Sequence, residues 1–416
     1  MANACGVDFG TSNSTVGWVR PGQPSLLALE DGKSTLPSVV FFNADEDAVR
    51  YGRAALADYL EGYDGRLMRS LKSLLGTPLM EGQTEVAGRA LPFKQLLGHF
   101  IGELKRRAEQ QAGREFASAV FGRPVYFIDD DPEADRLAED TLAEIARSVG
   151  FRDIGFQYEP IAAAFDYESR IEREELVLIA DIGGGTSDFS LLRLGPQRAG
   201  RSDRRDDILA NGGVHIGGTD FDKYLSLASV MPLLGYGSNL RSGAAIPSSY
   251  YFNLATWHTI NQAYTRKSVT QLADLARDAA EPSKIARLQN LIDERAGHWL
   301  AIQVEGAKIA LSGADMVRLE LDRLSPPETL DVARAQFEAA IAGLVDQVAT
   351  TVSKLFADAG VKPEEVDTVF FTGGSSGVGL LRERIGAMVP GARRVEGDLF
   401  GSIGTGLALD ALRRFG

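Results

Sequence analysis

Apolar residues along the chain follow two periods that alternate. Residues 4–9 and 14–20 read as short strands around the polar turn Phe9-Gly-Thr-Ser-Asn-Ser-Thr, and the β-rich run Val39-Val-Phe-Phe predicts a strand over 37–42. Residues 52–116 are expected to be mostly helical, with Leu96, Leu97, Phe100, Ile101 and Leu104 at helical spacing. Pro124-Val-Tyr-Phe-Ile predicts a short buried strand. A helix over 133–149 follows, with Leu137, Leu142, Ile145 and Val149 inward and Gly150 as its stop.

The second half opens the same way. Leu176-Val-Leu-Ile-Ala is a buried-strand run that leads into Asp181 and three glycines, and Phe189-Ser-Leu-Leu-Arg-Leu returns as a strand. Residues 195–207 read as an exposed hairpin tip or loop of mixed charge. Residues 271–312 are helical with a break near Pro282, and 333–359 is the clearest helix, its apolar face running from Phe337 to Phe356. Thr368-Val-Phe-Phe-Thr predicts one more strand, followed by Gly373-Gly-Ser-Ser and a helix. Strands alternating with helices imply an α/β protein.

One internal echo stands out. Strand–Asp8-x-Gly10-Thr-Ser–strand recurs as strand–Asp181-x-Gly183-Gly-Gly-Thr-Ser–strand, 173 residues further on (181 − 8). That period is too long for a solenoid and suits two related lobes that each offer a glycine turn to a shared cleft.

The chemistry of the two turns is that of a phosphate site. Successive N–H groups around Gly10 form a concavity for phosphate oxygens, to which Thr11 and Ser12 add hydroxyls. Asp8 would repel a phosphate directly, so it makes sense with a divalent cation between them. Three consecutive glycines weaken strands unless close approach is needed, and Asp188 adds a further carboxylate. Tyr158-Glu159-Pro160 begins a helix with a small-residue face, suited to close crossing of a neighbour, and Gly401-Ser-Ile-Gly-Thr-Gly offers a second such helix.

Other patterns exclude alternatives. Gly32-Lys33-Ser34 ends like a phosphate loop, but Leu27 stands where its leading glycine belongs, and no GxGxxG follows a strand. His99, His215, His258 and His298 lack metal spacing, and Cys5 is the one cysteine. Asn13-Ser-Thr is a chance glycosylation sequon, because Asp8 sits where an export signal would carry its apolar core. The 57 acidic against 44 basic residues disfavour nucleic acid, and the longest uncharged stretch, 242–265, is too polar to span a membrane. The expectation is a cytoplasmic protein.

These residues resemble the actin/hexokinase/DnaK-type ATPase superfamily, and within it the DnaK-type heat-shock chaperone ATPase domain, especially the short YegD-like proteins. The resemblance runs over nearly the whole chain. It is carried in order by the loop at Asp8, by Leu71-Lys72 before Leu74-Leu-Gly76, by Glu159-Pro160 and its alanines, by the loop at Asp181, and by Gly373-Gly-Ser-Ser. His215-Ile-Gly217-Gly218-Thr-Asp-Phe-Asp222 and the stretch from Glu305 through Lys308 to Ser312 are similar to further family segments.

The resemblance implies a two-lobed actin-like ATPase fold of ribonuclease H-like repeats, with four subdomains around a central nucleotide cleft. Lobe I is expected at 1–174 plus 398–416 with an inserted subdomain at about 36–116, and lobe II at 175–397 with one at about 220–324. No C-terminal peptide-binding domain is expected.

ATP or ADP with Mg²⁺ is the implied cofactor. By position, Asp8 and Asp181 would hold the waters of Mg²⁺, and Gly10, Thr11, Ser12, Asn13, Gly183, Gly184, Gly185 and Thr186 would cradle phosphates. Lys72 would meet the γ-phosphate, and Glu159 with Asp188 would position the attacking water. Glu305, Lys308, Ser312, Gly373, Gly374, Ser375 and Asp398 would bind the adenosine side, and Gly217 and Gly218 would also contact the nucleotide. Pro124 matches a proline that relays nucleotide state; the arginine after it, Arg136, lies farther along than usual.

Two adenine-stacking arginines of the family are Ile309 and Gly377 here, which implies weaker or less adenine-selective binding. The implied activity is slow ATP hydrolysis as a switch, with a protein client or co-chaperone as partner. A non-catalytic nucleotide-binding scaffold, a small-molecule kinase and a filament-forming actin relative are the alternatives.

Overall fold

The computed structural model describes residues 3–23, 25–86, 88–128, 131–199, 201, 205–397 and 401–416, with the backbone alone for Asp166, Arg205 and His258. Packing divides the chain into two compact units. The first comprises residues 1–215, 349–376 and 385–416, and the second 216–348 and 377–384.

Two five-stranded sheets lie in the first unit. One contains β1 (Ala4–Phe9), β2 (Asn13–Gly17), β3 (Thr35–Pro37), β4 (Ser118–Arg123) and β5 (Asp153–Tyr158), in the order β3-β2-β1-β4-β5. The other contains β6 (Glu175–Ile182), β7 (Ser187–Leu194), β8 (Ile208–Val214), β9 (Thr368–Thr372) and β10 (Arg393–Glu396), in the order β8-β7-β6-β9-β10. Each sheet is an antiparallel meander extended by two parallel strands. The echo in the sequence is therefore a repeat of topology.

Helices join these sheets at unusually close range. Helix α3 (Glu159–Glu168) follows α1 (Phe93–Ala112) and α2 (Pro132–Ser148) in the chain, and α7 (Ser402–Phe415) lies against it. A Cβ on Gly406 would stand 1.7 Å from the Ala162 carbonyl oxygen, and one on Gly6 2.3 Å from the Ala408 nitrogen. Only glycine lets α7 approach both α3 and β1 backbone to backbone. Ile161, Ala163, Ala164, Phe165 and Tyr167 on α3 pack with Val177, Ile179, Leu192 and Phe370 of the second sheet. Ala162 packs instead with Val120, Leu407 and Ala411.

Several local expectations change. The run at 37–42 is two strands: β3 ends at Pro37, which lacks an N–H, and Val39–Asn43 joins a separate three-stranded sheet with Ala48–Tyr51 and Gly65–Arg69. Among the described residues of 52–116, only Gly52–Glu61 and α1 are α-helical; between them lie a strand, two 3₁₀ turns and the hairpin Gln83–Val86/Arg89–Pro92. The strand expected at Pro124 lies one step earlier, as β4, and stops before the proline. Leu137 points outward at 54% exposed, whereas Leu142 and Ile145 are buried. The segment 195–207 joins the antiparallel strands β7 and β8, as a hairpin tip does, but it contains the short helix Pro196–Ala199 and a buried Asp207 that accepts from Arg198 at 2.5 Å.

The second unit is mostly helical. It contains α4 (Gly218–Ser229) and α5 (Gly297–Leu311), helices at Ser249–Ala255, Arg266–Arg277 and Pro282–Asp293, and the hairpin Met316–Leu321/Glu328–Ala333. Phe221, Leu225, Leu254, Leu288, Val304 and Leu321 are among its buried side chains. Tyr250 and Tyr251 are core, while Phe252 is 40% exposed. Helix α6 (Arg334–Ala359) buries Phe337, Ile341, Val345, Val348, Val352, Leu355 and Phe356, as its periodicity predicts. Among the described residues, no helix is long and apolar enough to cross a membrane.

Candidate phosphate site in the first unit

The β1–β2 turn is tight for a local reason. A Cβ on Gly10 would meet the Asn13 carbonyl oxygen at 2.1 Å, so the turn closes only with glycine. Ser38 braces it from outside: its Oγ donates to Gly10 O at 2.6 Å and its N–H to Ser12 O at 2.9 Å. In the β6–β7 turn, Asp181 stands opposite Asp188, and Gly183 N–H donates to Thr186 O at 2.9 Å. Thr186 Oγ1 donates to Asp188 Oδ2 at 2.8 Å.

These turns meet loop to loop. A Cβ on Gly184 would lie 2.1 Å from Ser12 Oγ, and one on Gly185 3.8 Å from Thr11 Cγ2. Gly10, Thr11, Ser12, Asn13, Gly183, Gly184, Gly185 and Thr186 are all partly solvent-exposed, so a ligand can reach their polar groups. Gly373, at φ +82°, closes on the same strand end: a Cβ there would be 2.4 Å from Asp181 Oδ1. The chain then runs through Gly374 to Ser375, whose N–H donates to Ile182 O at 2.9 Å.

Beneath the turns sits a buried charge cluster. Lys72, in a 3₁₀ turn that follows Ser70 at φ +59°, pairs with Glu159, the first residue of α3. Asp8, Asp181 and Asp188 are each no more than 8% exposed. Burial, then the Glu159 charge, raises Asp8 to about 7 against the pull of Lys72. Burial also raises Asp188 to about 7, with Thr186 working the other way. Asp181 rises well above its ordinary value through burial and the charges of Glu159, Asp188 and Asp8. Burial works against the Lys72 ammonium, but Glu159 and Asp8 overcome it and raise its pKa.

This cluster suits a hydrated cation. Its hard oxygen donors are those Mg²⁺ prefers, and their mutual repulsion is relieved by positive charge. Among the described residues, no three of His, Cys, Asp or Glu converge to hold a metal directly. Mg²⁺ characteristically keeps its waters and is shared with substrate phosphates.

Glu305, Lys308 and Ser312 belong to the second unit, on α5 and at its C-cap. Lys308 is buried there and donates to Asp222 Oδ2 at 3.0 Å and Gly218 O at 3.2 Å, so its ammonium fastens α5 to the start of α4. The Gly217 N–H donates to Asp220 at 3.0 Å. Ile309 is 63% exposed, and a Cβ on Gly377 would lie 3.7 Å from Ser312 Oγ. Asp398 lies outside the described residues.

Two contributors escape a reading of motifs. Gly122 has no side chain because Glu159 Cγ lies 3.1 Å from where its Cβ would be. Arg123 also engages Pro124: its Nε donates to Pro124 O at 3.1 Å, while its Nη2 binds Asp135 and its guanidinium lies over Tyr158 at 5.1 Å. An arginine at a strand end before proline was the available signal.

Two sheets of one topology, each turning a glycine hairpin beside an aspartate, define the two-lobed actin-like ATPase fold. The Hsp70 protein family model matches residues 4–94, 77–230 and 275–397. The chain belongs to that family. It is 28% identical to the chaperone protein HscA of Citrobacter koseri over 431 residues, covering 98% of this chain and 58% of the relative. HscA of Salmonella typhimurium is 28% identical over 403 residues, covering 92% and 53%, and that of Escherichia coli O17:K52:H18 is 28% identical over 433, covering 98% and 58%. The chain thus spans somewhat more than half the length of these relatives.

Proposed function

We propose that the chain is the Mg-ATP-binding, slowly hydrolysing nucleotide switch of a chaperone-type ATPase. The meeting of the two glycine turns over the buried cluster of Asp8, Lys72, Glu159, Asp181 and Asp188 carries this reading. Backbone N–H groups of residues 10–13 and 184–186 receive phosphate oxygens, while the Gly183 N–H closes the second turn on Thr186 O. Asp8 and Asp181 would accept hydrogen bonds from the waters of a bound Mg²⁺, whose charge would offset that of the phosphates.

Lys72 faces the γ-phosphate. Glu159, oriented by that same lysine, and Asp188, held by Thr186, align the attacking water. Positioning and charge neutralisation drive phosphoryl transfer, so these roles need no further cofactor. In the second unit Glu305 and Ser312 are assigned to the adenosine end on the resemblance alone. A protein client or co-chaperone is the proposed partner, in keeping with relatives named as chaperones.

Glu159→Gln tests this with little change of shape, since an amide oxygen still accepts from Lys72. Single-turnover ATP hydrolysis should fall about 100-fold or more, with ATP affinity changed only a few-fold. Turnover equal to wild type rejects the role of Glu159. A wild type that binds Mg-ATP yet releases no phosphate supports the non-catalytic scaffold instead.

A further inference from the structure

Helix α3 begins at Glu159 and ends beside the second sheet, about 12 Å away at 1.5 Å per residue. At that far end Tyr167 reaches a buried polar cluster. Its Oη donates to Glu175 Oε2 at 2.7 Å and lies 3.2 Å from Thr368 Oγ1. Thr368 Oγ1 donates to Glu175 Oε2 at 3.0 Å, and Arg393 Nη2 donates to Glu175 Oε1 at 2.7 Å and to Tyr167 Oη at 3.1 Å.

Glu175, Thr368 and Arg393 are the first residues of β6, β9 and β10. One hydroxyl of the helix is therefore gripped by the starts of three strands. Tyr167, Glu175 and Thr368 are buried, and the Tyr167 ring packs on Phe370 at 5.4 Å. Arg393 is the outer member, its side chain 63% exposed beside an open pocket of about 540 Å³.

We propose that Tyr167 is a positioning residue: its hydroxyl fixes the far end of α3 to the second sheet and thereby sets the direction of Glu159 at the other end. The assignment rests on the proposed function of Glu159. The helix is a rigid lever. Its near end is fixed by the Lys72 pair and by Gly122 under Glu159, its middle by Gly406 on Ala162, and its far end by this cluster. Releasing the far end lets the helix slide along its glycine contact, and small misplacement of a catalytic group costs rate more than affinity.

Tyr167→Phe deletes one hydroxyl and keeps the ring, while Glu175, Thr368 and Arg393 still bond to one another. Single-turnover hydrolysis is expected to fall about tenfold, with the Kd for ATP within twofold of wild type. Thr368→Val removes a second hydroxyl of the cluster and keeps the test open if the first variant folds poorly. It should slow hydrolysis similarly, and the double variant should slow it no further. Unchanged rates in both variants, a loss of affinity matching the loss of rate, or effects that multiply overturn the assignment. A wild type without phosphate release brings down the proposed function and this assignment with it. A hydrolysing wild type beside equally fast variants brings down this assignment alone.

Discussion

Binding of Mg-ADP should expel protons from the first unit, and the acid cluster sets how many. Asp8 and Asp188 are both pushed to about 7, chiefly by burial. A carboxyl with that pKa is about half protonated at pH 7, so the two hold about one proton between them, about 1.8 at pH 6 and about 0.2 at pH 8. Asp181, also raised, adds to the total. A cation in the cluster favours the charged forms, so these protons leave as the ligand enters. Protons therefore compete with the cation, and affinity rises with pH by about one log unit per pH unit near pH 7 from Asp8 and Asp188, with Asp181 adding to that slope.

Titration calorimetry in two buffers of different ionisation enthalpy counts the protons. Asp188→Asn should release about half a proton fewer at pH 7. Apparent enthalpies that do not depend on the buffer at both pH 6 and pH 7 refute the reasoning. The same groups act on the unliganded fold. With pKa values raised above those of the unfolded chain, the folded state holds more protons between about pH 4 and 7, so their contribution to stability is lost as pH rises through that window. Thermal unfolding of Asp188→Asn should accordingly gain on wild type from pH 5 to pH 7.5.

Two further outcomes test the geometry elsewhere. Gly406→Val places atoms where Ala162 O already lies, which should cost about 3 kcal/mol or more, and a melting temperature equal to wild type would show that the helices do not cross so closely. Ile309→Arg puts a guanidinium on an exposed position of α5 where the family resemblance expects one for stacking. ADP affinity measured by calorimetry should tighten about two- to fivefold, and no change rejects the assignment of that position to the base.

Much of this was legible in the sequence because it is local. A glycine turn flanked by β-rich runs and aspartates specifies its own hairpin, so Asp8–Ser12 and Asp181–Asp188 were readable, as was the face of α6. What depends on a distant partner was not. Pro37 and Val39 look like one strand until the sheets they join are known. Leu137 stands five positions before Leu142, off the face that Ala138, Leu142 and Ile145 share, and it is 54% exposed. Arg123 is a plain charged residue in the sequence, and only folding stacks it on Tyr158 and buries it against Asp135. The grip on Tyr167 joins residues 167, 175, 368 and 393, a set that no local window contains.

The contact of α7 with β1 and β2 also has a temporal side. Gly6 and Gly17 are covered by Leu407–Ala408 and Gly404, residues synthesised almost 400 positions later. At roughly 5–20 residues per second, the first hairpin emerges about 20–80 s before the helix that shields it. Throughout that interval the face that α7 will cover is bare, so the nascent chain needs shelter from aggregation until α7 arrives.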